Sequence, residues 1–146
     1  MFSKSILFLS ILSLGLWFGC SSSKEFPDKY PGDQIHFGQG GGFSGVLNYF
    51  VLLEDGRVYQ RSFRDSIFNQ VDTWPNNFTT QMFANYKSLH LDTVDHYEPG
   101  DQYYFIQYQS KNKPMHRIAW GKPGFRANEN IVTYYNLLYK STKSKS

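Results

Sequence analysis

Cysteine is almost absent from this sequence, occurring once in 146 residues, at position 20. A lone thiol cannot form an internal disulfide, so a disulfide framework is excluded. The four histidines form no HExxH motif, and neither a GxSxG nor a GxxxxGK[ST] segment is present. HExxH supplies the metal ligands of zinc hydrolases, and GxSxG supplies the nucleophile of serine hydrolases. GxxxxGK[ST] forms the phosphate-binding loop of P-loop proteins. We therefore predict no enzyme, no catalytic residue, no metal and no cofactor.

Charge of either sign is also scarce, because 15 basic and 12 acidic residues make up only 18% of the chain. A nucleic-acid binder needs a concentrated basic face, so we predict no nucleic-acid partner. Aromatic residues are abundant, with 11 Tyr and 13 Phe. Tyrosine-rich strands suit a half-buried sheet or a protein contact surface.

The N-terminus has the pattern of a secretory signal. One lysine, Lys4, precedes an uncharged stretch that ends at Gly19-Cys20. This stretch is shorter than the ~20 residues that a helix needs to cross a bilayer. The small residue before Cys20 and the serines after it resemble the lipobox of bacterial lipoproteins, although Trp17 replaces the usual leucine. An ordinary cleaved signal with an idle cysteine is the alternative.

The lipoprotein resemblance implies that Cys20 carries acyl chains that hold the protein on a membrane of the bacterial envelope. Cys20 is followed by Ser21 and not by aspartate, which resembles the lipoproteins that are sent to the outer membrane. We divide the chain into a signal peptide (1–19), a lipidated cysteine with a flexible tether (20–33), a single α+β domain (34–140) and a basic tail (141–146). The tether is predicted because its residues are mostly polar, Pro or Gly.

Hydrophobic periodicity predicts the fold class. Val46 to Phe63 reads as a β-hairpin around Asp55-Gly56, and a second strand pair runs from Asp101 to Trp120. Apolar residues at helical spacing predict one helix near 79–89, capped by Thr79 or Thr80, and another after Asn128. We expect an α+β domain, an antiparallel sheet of two hairpins with two helices packed on one face.

The segment GQGGGFSG, residues 38–45, is the most unusual part of the chain. We interpret it as a loop whose backbone and aromatic side chain contact a protein partner; a bulged connection between strands is the alternative. The candidate partner-binding residues are Gly41, Gly42, Phe43, Gly45, Tyr49 and Tyr59.

Two other groups of residues give weaker signals. Residues 92–101 gather several carboxylates and His96, but they lack the spacing of an EF-hand and favour a solvated loop over a calcium site. His36 and His116 fall in predicted strands without a nucleophile or a metal set beside them. We therefore expect them to be satisfied, half-buried side chains.

The order of motifs resembles the emfourin family, small bacterial protein inhibitors of thermolysin-like metalloproteases. Members carry a GGF-(small)-G turn and an Asp-x-x-Tyr strand. The matching residues here are Gly41, Gly42, Phe43 and Gly45 in the turn, with Asp101 and Tyr104 in the strand. The GGGFSG segment also resembles one found in small bacterial lipoproteins. The sequence thus favours a lipid-anchored, non-enzymatic protein-binding module with an envelope protein as its partner, and a membrane-tethered metalloprotease inhibitor is the alternative.

Overall fold

The computed structural model describes residues 27–42, 47–61 and 67–143. Cys20, Phe43 and Gly45 lie outside these residues. The described strands are β1 (Gln34–Gly41), β2 (Asn48–Leu53), β3 (Arg57–Arg61), β4 (Phe68–Thr73), β5 (Tyr97–Glu98), β6 (Gln102–Gln109) and β7 (His116–Trp120). The helices are α1 (Asn76–Ser88) and α2 (Glu129–Lys143), and short 3-10 turns lie at Pro27–Lys29 and Leu91–Thr93.

The strands form one sheet in the order β4-β3-β2-β1-β6-β7-β5. Neighbouring strands are antiparallel except β5 and β7, which pair in parallel. Both predicted hairpins are confirmed, since β2 pairs with β3 and β6 pairs with β7. The domain is α+β, as predicted.

The expectation of a sheet made from two hairpins was wrong, because three further strands complete it. Strand β1 lies between the hairpins and pairs with β2 and β6 over nearly its whole length. Strand β4 extends one edge, and β5 adds two residues to the other. Short or polar edge strands have little hydrophobic alternation, and the three glycines of β1 mask its pattern.

Glycine is required in β1 because the neighbouring backbone comes very close. A Cβ atom on Gly38 would lie 1.9 Å from the backbone oxygen of Asn48. At Gly41, where φ is +90°, a Cβ would lie 1.9 Å from the backbone oxygen of Asp101. The glycine-rich segment therefore continues the sheet as far as residue 41.

Both helices pack on one face of the sheet, which buries the main core. Inward-facing strand residues such as Ile35, Phe37 and Ile106 meet Tyr86 of α1 and Leu138 of α2 in one cluster. Trp74 and Trp120 belong to the same cluster. A separate small cluster lies on the opposite face and consists of Val51, Leu53 and Tyr59, with Tyr30, Tyr49 and Phe68 packed against it.

The two helices begin differently from each other. The side chain of Asn128 accepts a hydrogen bond from the Asn130 N–H at 2.8 Å, which confirms Asn128 as the cap of α2. For α1 the predicted cap at Thr79 or Thr80 was wrong, because the helix begins at Asn76 directly after Pro75. Within the described ranges, no helix is long and apolar enough to cross a membrane.

Candidate functional site

The face of the sheet opposite the helices, which we call the helix-free face, carries a row of side chains that crosses all seven strands. The cross-strand pairs that define the row link Phe68, Arg61, Tyr49, Gly38, Phe105, Ala119 and Tyr97. Because Gly38 has no side chain, the rings of Tyr49 and Phe105 meet above it with their centroids 5.2 Å apart. We call this row the aromatic band: the rings of Phe68, Tyr49 and Phe105 are in contact, and Arg117 lies between Phe105 and Tyr97.

Two arginines lie against the rings of this band. The Arg61 guanidinium lies 5.9 Å from the ring centre of Tyr49 and 6.0 Å from that of Phe68. Arg117 lies in the same way over Tyr97, at 5.3 Å, and over Phe105, at 5.7 Å. Cation–π contacts of this kind hold a guanidinium in place without neutralising its charge.

The charges of these arginines are not paired with carboxylates of the described residues. Arg57, at the hairpin turn, forms an ion pair with Asp55 at 2.7 Å. In the ranges that the structure describes, the ion pairs are this one and that of Lys122 with Glu98, so Arg61 and Arg117 take part in none. Burial raises the pKa of the Tyr49 hydroxyl, while the charges of Arg61 and Arg117 act in the opposite direction. Both guanidinium groups thus lie near one tyrosine.

A chain of hydrogen bonds is buried beside the aromatic band. His36 Nε2 lies 3.1 Å from Gln34 Oε1, which can only accept, so Nε2 carries the proton and donates it. His36 Nδ1 then accepts from the Tyr49 hydroxyl at 2.8 Å. The amide of Gln34 donates onward to the Pro27 carbonyl at 2.8 Å. Burial of this neutral ring lowers the pKa of His36 to about 4.

The segment before β1, residues 27–33, lies against the same face. Its Tyr30 ring packs on the cluster of Val51, Leu53 and Tyr59, and the Arg57 guanidinium lies 5.7 Å from the centre of that ring. The Pro27 carbonyl accepts the hydrogen bond from Gln34. The chain therefore reaches the domain across the helix-free face.

The glycines at the end of β1 form a second surface, the glycine end, which comprises residues 39–42, Asn48 and residues 102–104. The Gly42 N–H donates to the Asp101 carbonyl at 2.6 Å, which holds the end of β1 against the start of β6. A hollow of about 200 Å³ lies here, and its lining is uncharged: Gln39, Gly40, Gly41, Asn48, Gln102, Tyr103 and Tyr104. Amides, backbone groups and tyrosine rings are the groups that protein contact surfaces favour.

A second hollow of about 200 Å³ lies on the helix side at the other end of the sheet. In its wall the Tyr86 hydroxyl is 2.5 Å from His116 Nδ1, and His116 Nε2 donates to the Val94 carbonyl at 2.9 Å. The Tyr108 hydroxyl donates to Asp33 at 2.5 Å. The side chains of Tyr86, His116 and Tyr108 are thus each hydrogen-bonded to a neighbour, as expected for a structural network.

The predicted binding residues are distributed over different places. Gly41 and Gly42 lie at the glycine end, and Tyr49 lies half-buried in the aromatic band. Tyr59 is only 4% exposed and packs in the second cluster. The binding role of these residues stays a prediction, as does the role of Phe43, Gly45 and Cys20.

Sequence reasoning missed the two ring-bound arginines and the hydrogen-bond chain through His36. Alternation within β3 and β7 already places Arg61 on the face opposite Val58, and Arg117 on the face opposite Ile118 and Trp120. The pairing of Arg61 with Tyr49 and of Arg117 with Gln107 needs the register of the sheet, which no local pattern gives.

No protein-family model matches this chain. A search of curated proteins also gave no match. In the described part of the chain, no group of three or more His, Cys, Asp or Glu side chains could hold a metal ion.

Proposed function

We propose that this protein is a lipid-anchored module of the bacterial cell envelope. It is attached by Cys20 to the outer membrane and binds another envelope protein through its glycine end. The observation that carries the proposal is the uncharged, amide- and tyrosine-lined hollow beside Gly41. Tyr104 offers an exposed ring there, with 39% of its surface accessible. Aromatic rings beside backbone and amide groups provide contact area and hydrogen bonds at a small entropic cost.

The position of the glycine end also supports this proposal. Strand β1 begins where residues 27–33 reach the sheet and ends at Gly41. Its eight residues span about 26 Å at ~3.3 Å per residue. The proposed contact surface therefore lies at the end of β1 that is distant from the N-terminal segment.

The anchor is tested by the intact mass and detergent partitioning of the full chain expressed in a bacterial host, with Cys20→Ala as the control. We expect the wild type to lose residues 1–19, to gain acyl mass and to enter the detergent phase. The variant should do none of these. A wild type that stays unacylated and partitions like the variant contradicts the anchor.

The contact surface is tested by placing a photo-crosslinking residue at Gln102 in envelope preparations. We expect one protein adduct, whose yield falls at least tenfold with Tyr104→Ala. The matched control is Leu137→Ala on α2, a side chain of similar exposure, 38% against 39%. Equal loss of the adduct in both variants, or in neither, contradicts binding at the glycine end.

A second candidate function, inhibition of a thermolysin-like metalloprotease, is favoured by one specific contact. The two parts of the emfourin-like pattern are neighbours in space, because the Gly42 N–H donates to the carbonyl of Asp101 and Gly41 pairs with Gln102. The test is the turnover of a thermolysin-type protease in excess full chain, wild type against Tyr104→Ala. Undiminished turnover with the wild type would exclude this activity for that protease class.

A further inference from the structure

We propose that the helix-free face lies against the membrane surface, where Arg61 and Arg117 bind the phosphates of anionic lipid headgroups. This inference rests on the proposed anchor at Cys20. It adds an orientation to the module, with the aromatic band toward the lipid and the two helices away from it.

The route of the chain is the first argument. Six residues, 21–26, separate Cys20 from Pro27, so an acylated Cys20 lies within about 25 Å of Pro27 even when this stretch is fully extended. Pro27 is fixed on the helix-free face by its hydrogen bond to Gln34. A short tether that leaves from this face brings this face, rather than the helices, close to the lipid.

The charge of the face is the second argument. Arg61 and Arg117 form no ion pair with any described carboxylate, yet both are held in place by aromatic rings. Gln34, His36 and Gln107 are the polar residues between them in the sheet, and burial keeps His36 neutral at pH 7. Asp28 is also near enough for its charge to act on Tyr49, but it pairs with neither arginine. Two guanidinium groups that pair with no described carboxylate complement a surface of lipid phosphates.

The side chains beside these arginines are the third argument. Arg117 is exposed and lies over Tyr97, whose ring is 56% exposed, at the β5 edge of the sheet. At the opposite edge, the half-buried Phe68 lies against the half-buried Arg61. Tyrosine and arginine are stable at a lipid–water interface because each has an apolar body and a polar end.

The test measures which face of the acylated full chain approaches the lipid. Tyr97→Cys on the helix-free face and Leu137→Cys on α2 are labelled separately with a fluorophore. Each protein is reconstituted into vesicles of phosphatidylcholine and phosphatidylglycerol in equal parts, which contain nitroxide-headgroup lipid as a quencher. We expect several-fold stronger quenching of the label at position 97 than of the label at 137.

The lipid phosphates are tested with the Arg61→Gln/Arg117→Gln pair in the label-97 protein. Each arginine near an anionic surface contributes ~1 kcal/mol, or about fivefold in the ratio of docked to undocked protein. The double variant should lower the ratio of docked to undocked protein by more than tenfold and make this ratio insensitive to salt. Wild-type protein on vesicles of phosphatidylcholine alone should show the same low, salt-insensitive ratio. The matched control is Lys87→Gln/Lys140→Gln, which removes two positive charges from the helices and should leave quenching unchanged.

The outcomes separate the possible failures. Absence of acyl mass overturns the anchor and this orientation together. Acylated protein in which labels 97 and 137 are quenched equally overturns the orientation and leaves the anchor intact. An arginine pair that changes crosslinking to a protein while quenching at 97 stays constant overturns the lipid contact and assigns the face to a protein partner. Arg61→Lys/Arg117→Lys should retain most of the docking, because it keeps both charges.

Discussion

His36 couples the stability of the domain to pH, because its buried ring is neutral. Burial lowers the pKa of His36 from 6.5 to about 4. As the pH falls below 6.5, the unfolded chain binds a proton that the folded chain does not bind until about pH 4. The unfolded state therefore gains relative stability across this interval, and the folded state loses about 3 kcal/mol.

Urea unfolding measured from about pH 7 to about pH 4 checks this prediction. The free energy of unfolding of His36→Gln should fall less steeply with decreasing pH than that of the wild type. His90→Asn is the control, because His90 is exposed and asparagine tolerates its φ of 55°. Equal pH slopes for His36→Gln and the wild type would contradict a neutral, buried His36.

Gly38 is predicted to tolerate substitution poorly, because a neighbouring backbone leaves no room for a side chain. In Gly38→Ala the new Cβ would lie 1.9 Å from the Asn48 carbonyl oxygen and 3.2 Å from the Phe105 ring. The strands must separate to admit it, so we expect a loss of about 3 kcal/mol in the free energy of unfolding. Gly124→Ala is the comparison, because no atom lies within 4 Å of its added Cβ and only its φ of +83° is unfavourable, at ~1 kcal/mol. Thermal denaturation in which both variants lose the same stability would show that close packing at Gly38 is not limiting.

At the scale of single elements, the start of α2 gives a separate prediction. The Asn128 side chain accepts the Asn130 N–H, which would otherwise lack a partner within the helix. Asn128→Ala should therefore cost about 1 kcal/mol in chemical denaturation. Asn130→Ala keeps the capping side chain and should cost much less. A reversed order of the two variants would place the cap elsewhere.

The elements that could be predicted from the sequence are those with strong local patterns. The β2–β3 hairpin has a clear Asp55-Gly56 turn, and α2 has both a cap and an apolar stripe. Only the glycine-rich end of β1 is interpreted as a loop from the sequence, because its glycines meet a packing requirement set by strands that are distant in sequence. Strand β5 has two residues, too few for any pattern, and it exists because β7 offers a free edge to its backbone.

At the scale of the whole molecule, the position of β1 at the centre of the sheet predicts slow folding. Its neighbour β6 is remote in sequence, with Gln34 paired to Gln109. The chain must close a loop of this length before the central pairing contributes, so we expect folding in milliseconds to seconds. Trp74 and Trp120 lie in the core and report on this step in stopped-flow fluorescence. A folding phase in microseconds would show that the hairpins and helices fold without waiting for β1.

The candidate site was accessible to sequence reasoning at its glycine end and at Tyr49 of the aromatic band. Gly41 and Gly42 are recognisable in the sequence because glycines are clustered there. The structure shows that the Gly42 N–H is hydrogen-bonded to the Asp101 carbonyl. The aromatic band is assembled from seven strands, and each strand contributes one position to it. The sequence shows those residues but not their alignment, because the register depends on all the pairings together.

The central position of β1 has a mechanical consequence. The N-terminal segment enters at one end of β1, and the proposed contact surface lies at the other, so tension between the membrane and a bound partner would act along the strand axis. The pairings of β1 with β2 and β6 would then be loaded in shear, all at once, instead of opening one after another from an edge. A domain connected in this way resists pulling along that line far better than its equilibrium stability alone would indicate.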